Sequence, residues 1–498
     1  MKHFSILLYC SKLPRMKPIL LIVCSYLFVF QSLFAQVPDL PQDYLSKEFH
    51  AARRDSLRNR MPANSVTAIF AFPPRTFSND VEYVYHQNPD LYYFTGYKEP
   101  HAVLLVFKEM QKGADNSSYN ELFFVQKRDP GAEQWNGRRL GKEGVKKNLG
   151  IQFTYNGEEF KDFKLDLTRF DKLIFATLPN DVANEHHTGA DLFDLIQQFK
   201  EKAKIPKDYT KDNKFSTSLY YQITGALREI KTDEEMDLLR KAVEISCIGQ
   251  LEVMKAVRAD MSEAEIQGLH EFVHKKYGAE HVGYPSIVGA GNNGCVLHYV
   301  DNNKTRVGSQ LILMDVGAEY HGYTADVTRT IPANGKFSAE QKLIYNIVYE
   351  AQEAAFKKCK EGSTWQELNK AARDVVTEGL VKLGIAATKE EANKYYPHSL
   401  GHHIGLDVHD RNISTKLKKG MVITIEPGIY IPDDSPCDKK WWGIAVRIED
   451  DLLIKEHDYE MLSSAAPRKA EDIEKMIAEK SALDDFVLPR LKSGKKGF

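Results

Sequence analysis

The chain has 498 residues, 43% of them apolar, which is enough for two or three domains each with its own core. Its formal charge of −2 becomes −6 once the four cations of the first 35 residues, Lys2, Lys12, Arg15 and Lys17, are set aside. No basic surplus is left to attract a polyanion, so nucleic acid is excluded as the expected partner.

In chain order, Lys12, Arg15 and Lys17 precede an apolar run from Ile19 to Phe30 and then "QSLFAQ". This is the pattern of a signal peptide over residues 1–35, cleaved after Ala35, and it predicts an exported protein, periplasmic or secreted, with no stable membrane insertion after cleavage. An uncleaved anchor is the rival reading, but the run is short for a span. Four cysteines follow, Cys247, Cys295, Cys359 and Cys437, at spacings that match neither a zinc nor a disulfide framework. They read as packing residues, with Cys359 in "FKKCKEG" expected at the surface.

Over residues 36–215, the apolar runs "SVTAIFAF", "HAVLLVF", "ELFFVQ" and "KLIFATL" alternate with amphipathic stretches such as "DLFDLIQQFKEK". That alternation predicts an α/β domain, and the polar "KIPKDYTKDNKFSTS" marks its boundary. A second domain is predicted over 225–470. Capping boxes open helices at Thr232 with Glu235 and at Ser262 with Glu265, and strands follow. The pattern restarts at Ser338 with Gln341 and at Thr364 with Glu367, closes at Gly384, and again gives way to strands. The domain thus reads as two rounds of helix, helix and sheet. Residues 471–498 form a polar tail, expected as a surface helix with a loose end.

Each round carries two acids in strand-like surroundings. "LMDVGAEYHGYTADVTRT" holds Asp315 and Asp326. With "HG" at the tip of a hairpin, Tyr320 faces Tyr323, Gly317 faces Asp326, and Asp315 lies diagonal to Asp326 on the same face, about 7 to 8 Å away. The second round places Glu426 after "MVITI" and Glu449 in "WGIAVRIEDDLLI". Between the pairs lies "PHSLGHHIGLDVHD", with His398, His402, His403 and His409. Two like charges 4 Å apart repel by about 4 kcal/mol at an effective dielectric near 20, whereas a whole domain is stable by about 5 to 15 kcal/mol. Four converging carboxylates therefore need cations or protons. Four oxygen donors with one imidazole suit manganese first, then cobalt, iron or zinc, and the lack of a cysteine ligand speaks against structural zinc. "HSLGH" also has the i, i+4 spacing of a helical zinc protease, but it lacks the glutamate and is flanked by Pro397, Gly401 and Gly405.

"DVGAEYHGYTADVTRTIP", "HSLGHHIGLDVHD", "TIEPGIY" and "VRIEDD" closely resemble, in order and spacing, the signature segments of the aminopeptidase P family. These are manganese Xaa-Pro aminopeptidases of the pita-bread metallopeptidases, a group that includes prolidase and methionine aminopeptidase. The likeness extends to "IVGAGNNGCVLHY" and, in the amino-terminal domain, to "PDLYYFTGYKEPHAVLL" and "WNGRRLG". It implies a creatinase-like α/β domain followed by an α+β pita-bread catalytic domain with a pseudo-two-fold repeat. It also implies two divalent metal ions, Mn2+ first, held by Asp315, Asp326, His402, Glu426 and Glu449, with a hydroxide between them as nucleophile. By the same likeness Glu426 shuttles a proton, His298 and His409 act in catalysis, and His398, Tyr430 and Arg447 frame a proline ring. Arg447 serves equally well as a structural partner near Glu449. Arg138 and Arg139 match a segment that reaches another subunit in oligomeric relatives, and Tyr92 stands where some relatives carry tryptophan. The implied substrates are peptides with proline second, and the implied assembly is a homo-oligomer, dimer or tetramer. Two alternatives stay open: prolidase, confined to dipeptides, and a non-catalytic binding protein on the same fold.

Overall fold

The structure is a computed structural model that describes residues 41–113, 115–184 and 189–484; the predicted signal segment and the end of the tail lie outside them. Strand β1 (Ser65–Phe70) is buried along its whole length because each face is covered by a different layer. Val66, Ala68 and Phe70 pack with Phe175 and Phe199 on one side, and Ile69 packs with Phe49, Leu57 and Leu104 on the other. β1 is joined by β2 (Val103–Lys112), β3 (Ser118–Val125), β4 (Thr154–Asn156), β5 (Lys172–Phe175) and β6 (Phe215–Ser216) in a sheet of order β4-β3-β2-β1-β5-β6. β1 runs antiparallel to β2 and parallel to β5. The helices of this half are α1 (Lys47–Arg60), the wholly buried α2 (Pro89–Thr95) in "PDLYYFTGY", α3 (Leu192–Ala203) and α4 (Thr217–Arg228), which leads out of the sheet.

The catalytic half begins with α5 (Asp233–Ala256) and α6 (Glu263–Lys276); α7 (Ala339–Phe356) and α8 (Trp365–Lys382) open its second round. All four capping boxes read from the sequence form, with Thr232, Ser262, Ser338 and Thr364 each accepting a backbone N–H while the third helical residue reaches back. A cap of this kind contributes about 0.5 to 2 kcal/mol by matching donors that the helix leaves open. α8 ends as predicted, with Gly384 in the left-handed region at φ 70°.

The strands of the first round include β7 (Ile287–Ala290), β8 (Leu311–Val316), β9 (Ala318–Tyr320), β10 (Tyr323–Thr324) and β11 (Val327–Pro332). β8 pairs with both β7 and β11. The register expected of the hairpin holds: Tyr320 faces Tyr323, Glu319 faces Thr324 and Val316 faces Val327. His321 at φ 48° and Gly322 at φ 87° make the two-residue turn, which needs a positive φ at both positions. In the second round β12 (Val422–Ile425) pairs with β15 (Asp450–Ile454), which also pairs with β16 (Tyr459–Met461), and β13 (Gly428–Ile431) pairs with β14 (Ile444–Arg447). The rounds meet where the Glu449 N–H donates to the Thr328 carbonyl at 3.1 Å and where Thr330 exchanges hydrogen bonds with the Arg447 backbone.

Three expectations change. Cys359 is buried, its thiol turned to the Ala355 carbonyl, because the turn just past α7 folds it back into the catalytic core. The tail helix α9 (Ala470–Ile477) is anchored rather than superficial, since Ile473 is fully buried in the catalytic core. Of the four acids only Asp315 lies within a strand; Asp326, Glu426 and Glu449 occupy short breaks beside β10, β12 and β14. The four cysteines Cys247, Cys295, Cys359 and Cys437 are free thiols. No helix among the described residues is long and apolar enough to cross a membrane.

Candidate metal centre

Three of the four acids, Asp326, Glu426 and Glu449, leave the chain at breaks in the strands, whereas Asp315 leaves from within β8. An unbroken pleat sends successive side chains to opposite faces, and a pause of two residues lets a carboxylate leave at a new angle. Asp326, His402 and Glu449 each bring one ligand atom into a group whose members all lie within 4.8 Å of one another. His402 Nε2 is 3.4 Å from Asp326 Oδ2 and 3.5 Å from Glu426 Oε1. Asp315 joins through Tyr284, whose hydroxyl lies 2.5 Å from Asp315 Oδ1 and 2.5 Å from Asp326 Oδ1. The structure therefore brings all five predicted ligands to one place. They line a cleft of about 650 Å³ together with His298, His398, His409 and Arg447.

The electrostatics show the strain anticipated for converging acids. Burial and neighbouring carboxylates push Glu449 well above the carboxylate range, and burial raises Glu426 to about 8. Burial also raises Asp315, against the pull of the Arg447 guanidinium. Asp326 alone falls below its usual value: burial opposes its charge, but the hydrogen bond and charge of His402 outweigh that. His402 is itself raised to about 9, its desolvation overcome by Asp326 and Glu426. Carboxylates this deeply buried and this close together favour a neutralising charge, proton or cation, among them.

Glu449 supplies the direct test of whether a metal fits. Its Oε2 accepts from the Thr328 hydroxyl at 2.6 Å, but its Oε1 is buried with no hydrogen-bond partner, an arrangement that costs free energy unless something positive meets it. Oxygen donors with one imidazole around such an atom fit a hard or borderline divalent cation.

The predicted substrate residues fall into a wall and a support. His398 and Arg447 line the cleft. Tyr430 lies behind them and fixes both, with its hydroxyl 2.8 Å from His398 Nε2 and accepting from Arg447 Nη1 at 2.8 Å. Burial lowers His398 to about 4, so the imidazole is neutral at physiological pH. Arg447 is also ion-paired to Asp315 at 2.5 Å, so it is a structural partner of the carboxylates as well. His409 packs edge-on to His402 at 4.4 Å between ring centres. His403 belongs to another environment, buried against Trp365. Arg138 and Arg139 are not among the residues lining the cleft, and Tyr92 packs under the hairpin tip at Gly322.

Sequence reasoning missed Tyr284, Thr328 and Asp451. Asp451 Oδ2 accepts the Asp326 N–H at 3.1 Å and so holds that break in place. Tyr284 lies outside every quoted segment, whereas Thr328 stands inside "DVGAEYHGYTADVTRTIP" and Asp451 inside "VRIEDD", each close to a better-marked acid.

Known proteins bear on this geometry directly. A model described as "Metallopeptidase family M24" matches residues 237–456, and one described as "Aminopeptidase P, N-terminal domain" matches residues 50–174. The Xaa-Pro aminopeptidase of Escherichia coli K12 is 34% identical over 447 residues, covering 87% of this chain and 98% of that protein. The chain belongs to the aminopeptidase P family of M24 metallopeptidases. Two solved structures of the family agree with the fold. Aminopeptidase P from E. coli with the inhibitor Pro-Leu superposes with a TM-score of 0.75 at 33% identity, covering 87% of this chain and 98% of that one. Aminopeptidase PepP from Pseudomonas aeruginosa gives 0.77 at 32% identity, covering 88% and 99%. As a member of the aminopeptidase P family the chain is a hydrolase that works through divalent metal, with an amino-terminal aminopeptidase P domain ahead of its M24 catalytic domain.

Proposed function

We propose that the chain is a metal-dependent Xaa-Pro aminopeptidase, removing the first residue from peptides whose second residue is proline. The observation that carries this reading is the gathering of Asp315, Asp326, His402, Glu426 and Glu449 in one open cleft with a buried oxygen of Glu449 left unmatched. These five residues would hold a pair of divalent cations, manganese first, which when bound supply an activated water and Lewis-acid polarisation of the scissile carbonyl.

The chain's own residues do the remaining work. Glu426 lies 3.8 Å from His398 Nδ1 on the cleft wall, placed to take a proton and release it to a departing nitrogen. His298 and His409 present imidazoles along the cleft, placed to donate to a peptide carbonyl as charge develops on its oxygen. The X-Pro bond lacks an N–H, so recognition depends on shape, and the braced wall of His398, Tyr430 and Arg447 offers a rigid surface for the ring.

A series of Xaa-Pro peptides of increasing length tests the reading, run with added Mn2+ and repeated with Asp326→Ala. Release of the first residue from tripeptides and longer peptides is expected, with a loss of about 10³-fold or more in kcat/KM in the variant. Turnover of dipeptides alone would make the protein a prolidase, and no turnover with metal bound would make it a binding protein. Export belongs to the same proposal, and amino-terminal sequencing of the mature protein is expected to begin at Gln36.

A further inference from the structure

Each half of the catalytic domain holds a fully buried glutamine on its first helix, Gln250 on α5 and Gln352 on α7. Gln250 Nε2 donates to the carbonyl oxygens of Met314 at 3.1 Å and Val327 at 2.8 Å. Gln352 Nε2 donates to those of Ile425 at 2.9 Å and Ile448 at 3.0 Å, and to Asp450 Oδ2 at 2.9 Å. Carbonyls only accept, so the neighbours themselves decide which end of each amide faces them.

The four carbonyls are not scattered. Met314, Ile425 and Ile448 immediately precede Asp315, Glu426 and Glu449, and Val327 immediately follows Asp326. In each half, one amide group therefore ties together the two stretches of backbone that deliver that half's two carboxylates. Gln250 keeps this arrangement although its Oε1 is left buried without a partner, while Gln352 Oε1 accepts from Arg468 Nη1 at 2.9 Å. An unmatched buried oxygen is costly, so the position is held for its N–H groups.

We propose that Gln250 and Gln352 are positioning residues for the metal centre: each fixes, through backbone, the spacing and direction of two of its carboxylates. The proposal rests on the reading of those carboxylates as ligands. Its rival is that the glutamines satisfy core carbonyls and serve stability alone.

The test uses the full-length protein with Gln250→Met and Gln352→Met, each near the original volume, and Co2+ as the probe metal. Gln250→Asn and Gln352→Asn, which keep the amide but withdraw it by one methylene, serve if a methionine variant does not fold. The dissociation constant for Co2+ is expected to rise by about 10- to 100-fold in each variant. The visible absorption band of bound cobalt is expected to shift, and the gap between metal-free and metal-loaded melting temperatures to narrow. Unchanged cobalt affinity and spectrum, with both forms melting lower by the same amount, would overturn the proposal. Wild-type protein that binds no cobalt would instead sink the metal-centre reading beneath it.

Discussion

At the scale of single residues, the carboxylates behave as a store of protons, and this sets a pH dependence whose sign can be worked out. Glu426 is raised from an ordinary carboxylate value to about 8 and His402 from 6.5 to about 9. For both, the metal-free folded chain binds more protons than the unfolded chain between pH 6.5 and 8, so its stability falls as pH rises through that window. His398 and His403, lowered to about 4, are neutral in the folded chain but about half protonated in the unfolded chain at pH 6.5, so they add an opposing slope that is smaller than that of Glu426 and His402 and fades as pH rises toward 8. Melting curves in chelator are expected to move down from pH 6.5 to 8, and saturating divalent metal is expected to remove the slope; a metal-free curve that rises would contradict the assignment. The converging acids were legible in the sequence because they stood in β-branched surroundings, where burial is costly. Tyr284 was not, since a tyrosine among apolar residues looks like ordinary packing until the fold carries its hydroxyl to the two aspartates.

Among the elements, the helix starts and the hairpin were readable because each rests on local chemistry: a hydroxyl with a carboxylate or amide three residues on, or a glycine where φ must be positive. The strand breaks were not, because they are imposed by contacts from distant parts of the chain, such as Asp451 on the Asp326 N–H. Close backbone approach was likewise hidden. A Cβ on Gly401 would lie 2.1 Å from the Thr424 carbonyl oxygen, so the segment between His398 and His402 can lie against β12 only with glycine there. Gly401→Ala is expected to push His402 off its carboxylates, weakening Co2+ binding by about 10-fold or more. At the turn, Gly322→Ala sets a side chain at φ 87° and 2.9 Å from the Tyr92 ring, and is expected to cost about 1 to 3 kcal/mol in urea unfolding.

For the molecule as a whole, a buried charge network ties the amino-terminal half to the loop that carries His409. Arg228 pairs with Asp90 at 2.8 Å and with Asp410 at 2.5 Å, and Lys231 pairs with Asp410 at 2.8 Å, all at 1% side-chain exposure. Arg411 also reaches Asp90. Taking one cation from such a set strands its partners, so Arg228→Met is expected to destabilise by about 3 to 5 kcal/mol and, by loosening the residue after His409, to lower kcat as well. Urea unfolding with parallel kinetics checks both, and a cost below about 1 kcal/mol would show the network to be incidental. The two-domain organisation and the repeat were readable at this scale from periodicity, whereas the network was not, since charges far apart in sequence declare no partner.

The two-round construction also governs when the molecule becomes active. Two of the acids come from the first round and two from the second, and Glu449 is the last to be synthesised. A chain cut short before Glu449 therefore lacks one of the four converging acids. Peptide hydrolysis is expected to require both rounds of the fold, so a fragment carrying the first round alone should be inactive.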